Sequence, residues 1–336
     1  MSKHVIIIAE AGVNHNGDFD LACRMIQEAK NAGVDYVKFQ TAVPRLVISR
    51  YAPKAEYQKE TTGGGESQLE MCERIHLRLD AYRHLASICR ETGIGFMSTP
   101  FDIVSIDTLA TLNMDYWKIP SGEITNLPYL RKIAEYADKV ILSTGMSTLG
   151  EVDTAVDVLT SSGRLKREDI ALLHCTTQYP TPYNQVNLQA MNTLKALGCG
   201  AIGYSDHTPG IVVPIAAVAM GASIIEKHFT LDKNMEGPDH RASLNPGELK
   251  SMVASIRAVE DAIGSPIKCV AEAEQDNIAV ARKSIVASRP IKKGESFSTE
   301  NLTVKRPGNG VSPMLWDMVM GIPASRDFME DEPISL

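Results

Sequence analysis

The 336-residue sequence lacks the features that mark membrane, secreted and nucleic-acid-binding proteins. The apolar stretch before Glu10 is only five residues long, and no apolar run reaches about 18 residues, so neither a signal peptide nor a membrane span is predicted. The six cysteines show no CxxC or paired spacing, which argues against a disulfide framework or a zinc knuckle. The formal charge of −7 comes without runs of like charge and gives no support for binding nucleic acid or a membrane surface. We therefore expect a cytoplasmic protein with reduced thiols.

Strand-like and helical patterns alternate through the first two thirds of the chain. Eight short apolar runs, rich in β-branched residues, span residues 5–10, 35–41, 94–101, 115–123, 139–146, 170–177, 201–208 and 223–230. Continuous apolar strands that alternate with helices predict a parallel sheet covered on both faces. Eight such units favour a closed (β/α)₈ barrel. The alternative is an open doubly wound sheet, although no G-x-G-x-x-G opens the first turn.

The pattern changes after the predicted barrel. We expect a barrel over residues 1–268, a charged linker over 269–281, and a small β-rich domain with Gly/Pro turns over 282–336. A domain of that size is marginal alone, so it should dock on the barrel or on a neighbouring subunit. One long connection, residues 42–79, is rich in glycine and polar residues, which is typical of a lid or binding loop.

Polar and charged residues stand at the end of every predicted strand, where barrel enzymes carry their chemistry. They are Glu10, Lys38, Gln40, Ser98, Thr99, Lys118, Ser121, Glu123, Ser143, Thr144, His174, Thr176, Asp206, His207, Glu226 and His228. Strands that emerge into water also end in serine or threonine. Buried lysine and glutamate are costly unless they are paired or functional. We therefore predict a binding cluster at this rim.

Two subsets of the cluster indicate specific chemistry. Lys38 and Lys118, with hydroxyls around them, suit a phosphate or carboxylate, although either lysine could instead form a Schiff base. His207 and His228 end the last two predicted strands and could supply two nitrogen ligands to one Mn²⁺ or Mg²⁺ ion. Structural histidines at strand ends are the alternative.

Ten motifs in order resemble one family over nearly the whole chain. They are IAEAGVNHNG, VKFQT, FMSTPFD, WKIPSGE, ILSTGM, HCTTQYPTP, GYSDHT, IEKHFTLDK, GPDH and VKRPGNG. This series closely resembles the sialic acid synthases, bacterial enzymes that condense phosphoenolpyruvate with N-acetylmannosamine to give N-acetylneuraminate and phosphate. The resemblance implies a (β/α)₈ TIM barrel, a C-terminal antifreeze-like (SAF) domain and a domain-swapped homodimer.

The resemblance also implies roles for individual residues. His207 and His228 become ligands of a divalent metal, Mn²⁺ with Mg²⁺ or Co²⁺ as alternatives, which polarises the sugar aldehyde. The phosphoenolpyruvate positions are Lys38, Thr99, Lys118, Ser121, Ser143, Thr177 and Ser205. The sugar positions are Gln40, Tyr179, Asp239 and, from the partner subunit, Arg306. Glu123 is the first candidate for handling protons and Glu10 the second, so the catalytic set is Glu123, Glu10 and His228.

Two departures from the family pattern concern the sugar. Thr177 stands where some members carry an asparagine, and residues 63–65 are glycines where some place an asparagine against the sugar. The motifs also resemble the legionaminate synthases, whose acceptor is 2,4-diacetamido-2,4,6-trideoxymannose. From other classes, a Schiff-base aldolase on the same barrel and a non-catalytic sugar-binding protein are the alternatives.

Overall fold

The computed structural model describes residues 4–54 and 65–336, and the chain divides into two compact units, Met1–Gly264 and Ser265–Leu336. In the first unit the strands are β1 (Ile6–Gly12), β2 (Tyr36–Thr41), β3 (Gly95–Pro100), β4 (Trp117–Ile119), β5 (Val140–Ser143), β6 (Ile170–His174), β7 (Ala201–Asp206) and β8 (Ile224–His228). All their pairings are parallel, in the order β3-β2-β1-β8-β7-β6-β5-β4. β3 and β4, at the two ends of this series, lie against each other. The predicted TIM barrel is confirmed, and the doubly wound alternative is wrong.

Helices follow the strands around the outside of the barrel. They are α1 (Phe19–Ala32), α2 (Pro44–Val47), α3 (Gln68–Ile75), α4 (Ala81–Thr92), α5 (Ile103–Leu109), α6 (Leu127–Tyr136), α7 (Leu149–Thr160), α8 (Ala190–Leu194), α9 (Val212–Ala219) and α10 (Pro246–Ile263). Short 3₁₀ turns span Ser121–Glu123, Arg167–Asp169, Tyr183–Gln185, Lys195–Leu197 and His240–Ala242. α1 shows how the sequence sets the ends: Asp18 accepts from the first-turn amides, and Gly33 ends the helix at φ 85°.

The predicted long loop contains regular structure on both sides of its undescribed part. α2 begins at a proline, and α3 begins with a capping box formed by Ser67 and Glu70. The S-x-x-E spacing that starts α3 is readable in the sequence. Gly63 and Gly64 lie outside the described residues.

The barrel interior changes from apolar to polar along each strand. Ile8, Met97, Ile141, Ala171, Leu173 and Ile224 form one buried cluster. Two residues further on, on the same face of a strand, Ile8 is followed by Glu10, Met97 by Thr99, Ile141 by Ser143 and Ile224 by Glu226. The outward-facing residues of the same strands pack against the helices in a much larger core. An apolar floor therefore carries a polar layer at the carboxyl ends of the strands.

The second unit has its own small core. It contains a 3₁₀ turn at Glu272–Glu274, α11 (Gln275–Ala281), an antiparallel pair of β9 (Ser284–Ala287) and β10 (Leu302–Lys305), a turn at Pro313–Leu315, and α12 (Trp316–Val319). Its buried residues include Ile285, Phe297, Leu302 and Phe328. The segment predicted as a charged linker thus includes a helix. In the described parts of both units, no helix is long and apolar enough to cross a membrane.

Candidate active site

Strand register brings the predicted residues into one layer. Glu10 on β1 lies opposite Lys38 on β2 and opposite His228 on β8, and Ser205 on β7 lies opposite Glu226. Above this layer is a cavity of about 280 Å³. The predicted residues that line it are Glu10, Lys38, Gln40, Thr99, Lys118, Ser121, Ser143, Thr177, Tyr179, Ser205, His207, His228 and Asp239.

Two lysines and two carboxylates form a buried charge network at the floor of the cavity. Lys38 Nζ lies 2.5 Å from Glu10 Oε2 and 3.6 Å from Glu226 Oε2, and Lys118 Nζ lies 3.7 Å from Glu226 Oε1. Lys38 also donates to Thr99 Oγ1 (3.0 Å), and Lys118 donates to Ser143 Oγ (2.8 Å). Each ammonium therefore contacts at least one carboxylate and donates a hydrogen bond to one hydroxyl.

The two lysines differ in their electrostatics. Burial lowers the pKa of Lys118, and its single close carboxylate does not restore it. Burial acts on Lys38 in the same direction, but Glu10 and Glu226 together outweigh it, and the pKa of Lys38 is raised. Lys38 is therefore a permanent cation at neutral pH, whereas Lys118 is the more easily deprotonated of the two.

The two histidines lie side by side at the rim, with His207 one residue beyond the end of β7. Their ring centroids are 5.6 Å apart. His207 Nδ1 donates a hydrogen bond to the Thr176 carbonyl at 2.6 Å. The free lone pair of the ring therefore lies on Nε2. His228 Nδ1 is buried and has no hydrogen-bond partner in the part of the chain that the structure describes. Burial lowers the pKa of both imidazoles, which keeps them neutral and able to bind a metal.

The donor set fits a divalent ion held by two protein ligands. Among residues 4–54 and 65–336, no three His, Cys, Asp or Glu side chains are grouped to hold a metal ion. His207 and His228 would therefore supply two nitrogens, and water and substrate oxygens would complete the shell. Such an open shell is what a metal that must bind a substrate oxygen requires.

Three of the residues expected around the sugar, Gln40, Tyr179 and Asp239, line the cavity near Glu10 and the two histidines. Gln40 Nε2 donates to Glu10 Oε1 at 3.0 Å, and the Tyr179 ring lies 4.2 Å from the His207 ring, centroid to centroid. Asp239 follows β8 in the turn before His240–Ala242 and is buried. Burial, with Glu10 nearby, raises the pKa of Asp239 to about 7.

Glu123 and Arg306 are placed differently from the others. Within the described ranges, Glu123 is not among the side chains that line the cavity. It sits at the end of the Ser121–Glu123 turn and accepts a hydrogen bond of 2.6 Å from Asn126. Arg306 is an exposed residue of the second unit, where its Nε donates to the Ala281 carbonyl at 3.1 Å.

Sequence reasoning missed several residues that line the cavity. It noted Glu226 only as a strand-end carboxylate and gave it no role, although its alternation with Ile224 and His228 placed it inside the barrel. Val13, Met71, Cys72 and Ile75 also line the cavity. Nothing in the sequence marked these four, because apolar residues in a turn and a short helix are ordinary core positions.

A second lysine–carboxylate pair lies behind the histidines. Lys227 Nζ contacts Asp206 Oδ2 at 2.5 Å and also donates to the Thr208 carbonyl. Both side chains have no exposed surface. This pair joins β7 to β8 at residues directly adjacent to His207 and His228.

Comparisons with known proteins agree with this geometry. The NeuB family model matches residues 25–268, and the SAF domain model matches residues 282–336. The chain is 53% identical over 332 residues to the N,N'-diacetyllegionaminic acid synthase of Campylobacter jejuni, covering 99% of both chains. It is 45% identical to the synthase of the same name from Legionella pneumophila, covering 95% of this chain and 90% of that one.

A solved structure is similar over most of the chain. It is the N-acetylneuraminic acid (sialic acid) synthetase of Leptospira borgpetersenii in complex with citrate, at 33% identity and a TM-score of 0.71. The match covers 82% of this chain and 91% of that one. The family resemblance predicted from the ten motifs is confirmed: the chain belongs to the NeuB family and carries a C-terminal SAF domain.

Proposed function

We propose that the protein is a phosphoenolpyruvate-dependent nonulosonic acid synthase, a C–C bond-forming transferase. The observation that carries this proposal is the convergence of two buried lysines, two buried carboxylates and two neutral histidines in one barrel-end cavity. In the reaction, C3 of phosphoenolpyruvate bonds to the aldehyde carbon of the sugar and water adds at C2. The C2–O bond to phosphate then breaks, which releases phosphate and leaves a ketone.

The lysines and hydroxyls hold phosphoenolpyruvate. Lys38 and Lys118 neutralise its phosphate and carboxylate, and hydroxyls of Thr99, Ser121 and Ser143 supply directed donors. The other proposed contacts are Thr177 and Ser205. Because these donors are held in place before substrate arrives, they stabilise developing charge without reorganisation.

Residues near Glu10 and the two histidines hold the acceptor sugar. Gln40, Tyr179 and Asp239 line this part of the cavity and offer hydrogen bonds to its hydroxyl and amide groups. His207 and His228 would hold a divalent metal, for which we propose Mn²⁺. When bound, the ion supplies a Lewis acid for the aldehyde oxygen.

A carboxylate must take and return protons at the water and the new hydroxyl. Sequence reasoning ranked Glu123 before Glu10. The position of Glu10 on the cavity floor supports reversing this order, because burial raises its pKa and allows it to carry a proton. Glu226, 3.6 Å and 3.7 Å from the two lysines, is suited to stabilising positive character that develops between them.

We propose 2,4-diacetamido-2,4,6-trideoxymannose as the acceptor and N,N'-diacetyllegionaminate as the product. The two relatives at 53% and 45% identity carry that synthase's name, and this supports the acceptor over N-acetylmannosamine. N-acetylneuraminate synthesis is the same chemistry on a different sugar, and the Leptospira structure supports it at 33% identity.

We further propose a cytoplasmic, domain-swapped homodimer with a catalytic domain over residues 1–268, a connector over 269–281 and a SAF domain over 282–336. The SAF domain would place Arg306 in the partner's site, against the acyl group of the sugar. The separation of Ser265–Leu336 as a compact unit is compatible with such an exchange.

The test is phosphate release from phosphoenolpyruvate in the presence of Mn²⁺ and either sugar, with the product identified by mass spectrometry. We expect the diacetamido sugar to give the higher kcat/KM and EDTA to abolish turnover. No phosphate release with either sugar would overturn the proposal.

One observation favours a second function. The lowered pKa of buried Lys118 is what a Schiff-base lysine needs. An aldolase of that type would stay active in EDTA, and borohydride would trap its substrate on Lys118. Inactivation by borohydride only in the presence of a carbonyl substrate would support the aldolase.

A further inference from the structure

One end of the active-site cavity is closed by an apolar wall. Val13, Met71 and Ile75 form a separate hydrophobic cluster, and Cys72 packs against it. Val13, Met71 and Ile75 are at most 3% exposed, yet all four residues line the cavity. The wall contrasts with the floor, which is built from lysine, glutamate and hydroxyl side chains.

The apolar wall is supported by two local structures. Met71 and Ile75 lie four residues apart on α3, so they face the same way. Val13 belongs to the turn after β1, where the buried Asn14 side chain donates to the Phe229 carbonyl (2.8 Å) and to Ser243 Oγ (2.9 Å). These bonds tie the turn that carries Val13 to the segment after β8.

Neighbouring charges show where the wall lies along the cavity. Lys118 contacts Glu226, Glu226 contacts Lys38, and Lys38 contacts Glu10. Glu10 is close enough to add to the raised pKa of Asp239. Ser243 Oγ connects the turn of the wall to Asp239, because it accepts from Asn14 Nδ2 (2.9 Å) and donates to the Asp239 carbonyl (2.7 Å). Burial and then Asp239 raise the pKa of Cys72 to about 11, in agreement with this proximity. Along the cavity lining, the lysines are therefore followed by Glu10, then by Asp239 and then by the apolar wall.

We propose that the apolar wall receives the C6 methyl group of a 6-deoxy amino sugar and disfavours sugars with a hydroxyl or phosphate at C6. This rests on the proposed function, in which the aldehyde carbon C1 meets phosphoenolpyruvate near the lysines. In the open-chain acceptor, C6 is the carbon farthest from C1 and extends past Asp239 towards the wall. A hydroxyl placed against Val13, Met71 and Ile75 loses hydrogen bonds to water and gains apolar neighbours in exchange.

The first test uses the unmodified protein with acceptors that differ only at C6. They are N-acetylmannosamine, its 6-deoxy analogue and its 6-phosphate, each with saturating phosphoenolpyruvate and Mn²⁺. We expect kcat/KM for the 6-deoxy sugar to exceed that for N-acetylmannosamine by about 10- to 100-fold, and the phosphate to be poorer still. Equal values, or a preference for the hydroxyl or phosphate, would overturn the inference.

The second test changes the wall. Val13→Thr introduces a hydroxyl at nearly constant shape, and Ile75→Thr introduces one while removing the terminal methyl group. Each should lower the 6-deoxy preference by about 10-fold. Ile106→Thr is the matched control, since Ile106 is fully buried in α5 and does not line the cavity. The control should keep the wild-type preference. If it shifts the preference as much as Ile75→Thr does, the wall has no specific role.

Two wall positions, Val13 and Ile75, are changed so that the test survives if one variant fails to fold. Sugar affinity measured by calorimetry separates this inference from the proposed function. Absence of phosphate release with every acceptor overturns the proposed synthase. In that event, the affinities of N-acetylmannosamine and its 6-deoxy analogue in the presence of phosphoenolpyruvate still decide the question. A tighter 6-deoxy sugar supports the wall, and equal affinities reject it.

Discussion

In the described part of the first unit, two buried lysine–carboxylate pairs share the same short contact distance but differ in their surroundings. Lys38 and Glu10 meet at 2.5 Å on the cavity floor, and Lys227 and Asp206 meet at 2.5 Å behind the rim. The first pair lines the cavity. The second has no exposed surface.

The partners of each pair explain the difference. Lys227 has the Thr208 carbonyl as a further acceptor, and Asp206 accepts from the Thr208 amide (3.1 Å) and hydroxyl (3.0 Å), so the sealed pair is satisfied within the protein. Lys38 donates to the Thr99 hydroxyl and contacts the more distant Glu226, and its remaining side faces the cavity. One ion pair therefore belongs to the fold, and the other is available for binding.

The largest expected effect is on stability. Lys227→Met leaves Asp206 buried without its cation, and we expect the free energy of unfolding to fall by about 3–5 kcal/mol. Urea denaturation measures the loss. Lys233→Met, which removes a partly exposed pair with Glu248, is the control and should cost about 1 kcal/mol or less. A Lys227→Met loss as small as the control's would show that the sealed pair is not structural.

The corresponding change in the open pair should act on catalysis. We expect Lys38→Met to lower kcat/KM for phosphoenolpyruvate by at least about 100-fold, since it removes a preorganised cation from the phosphate site. Its stability loss should be smaller than that of Lys227→Met, because Glu10 can take up a proton beside the cavity. Steady-state phosphate release gives the rate, with the exposed Lys195→Met as reference. An unchanged kcat/KM would remove Lys38 from the site.

Asp239 adds a pH-dependent carboxylate to the comparison of the two pairs. It lines the same cavity as Glu10, and burial raises its pKa to about 7. Its folded pKa lies above the unfolded value of about 4, so the stability contributed by its proton is full below pH 4 and is lost as the pH rises to about 7. Asp239→Asn should remove this loss of unfolding free energy between about pH 4 and 7. The sugar KM should fall about 10-fold between pH 6 and 8 as the carboxylate forms, and Asp239→Asn should abolish that dependence. A wild-type KM that is flat over this range would contradict it.

The smallest expected effect concerns Arg306, which belongs to neither of the two lysine–carboxylate pairs. Arg306→Ala should raise the sugar KM by about 5-fold and leave the KM for phosphoenolpyruvate almost unchanged, because we place this residue against the acyl group only. The neighbouring Lys305→Ala, which breaks a surface pair with Asp331, is the control. A sugar KM unaffected by Arg306→Ala would remove the SAF domain from the site.

The barrel was predictable because its strands are buried on both faces. Continuous apolar runs such as VIIIA and KVILS mark these strands, and the count of eight is correct. The polar layer was predictable for the same reason: charged residues such as Lys38 and Glu10 interrupt runs that are otherwise apolar. Six of the eight strands end one to four residues before their predicted ends, whereas β2 ends where predicted and β1 continues two residues further, to Gly12.

The parts that the sequence did not reveal depend on contacts between distant segments. Glu226 acquires its role only through Lys38 and Lys118, which lie on other strands. The sequence analysis ranked Glu123 before Glu10, but Glu123 lies in a 3₁₀ turn and its carboxylate accepts a hydrogen bond from Asn126. The wall residues on α3 carry no polar signal, and only their packing on Val13 shows that they close a cavity.

The sealed pair of Lys227 and Asp206 has a consequence for how the protein handles its metal. Because it joins β7 to β8 beside both imidazoles, we expect the fold to set the spacing of His207 and His228 and this spacing to change little when an ion binds. Little conformational entropy is then lost when an ion enters. Exchange between divalent ions of similar size should accordingly proceed without local unfolding, and metal choice would follow the supply of ions around the protein.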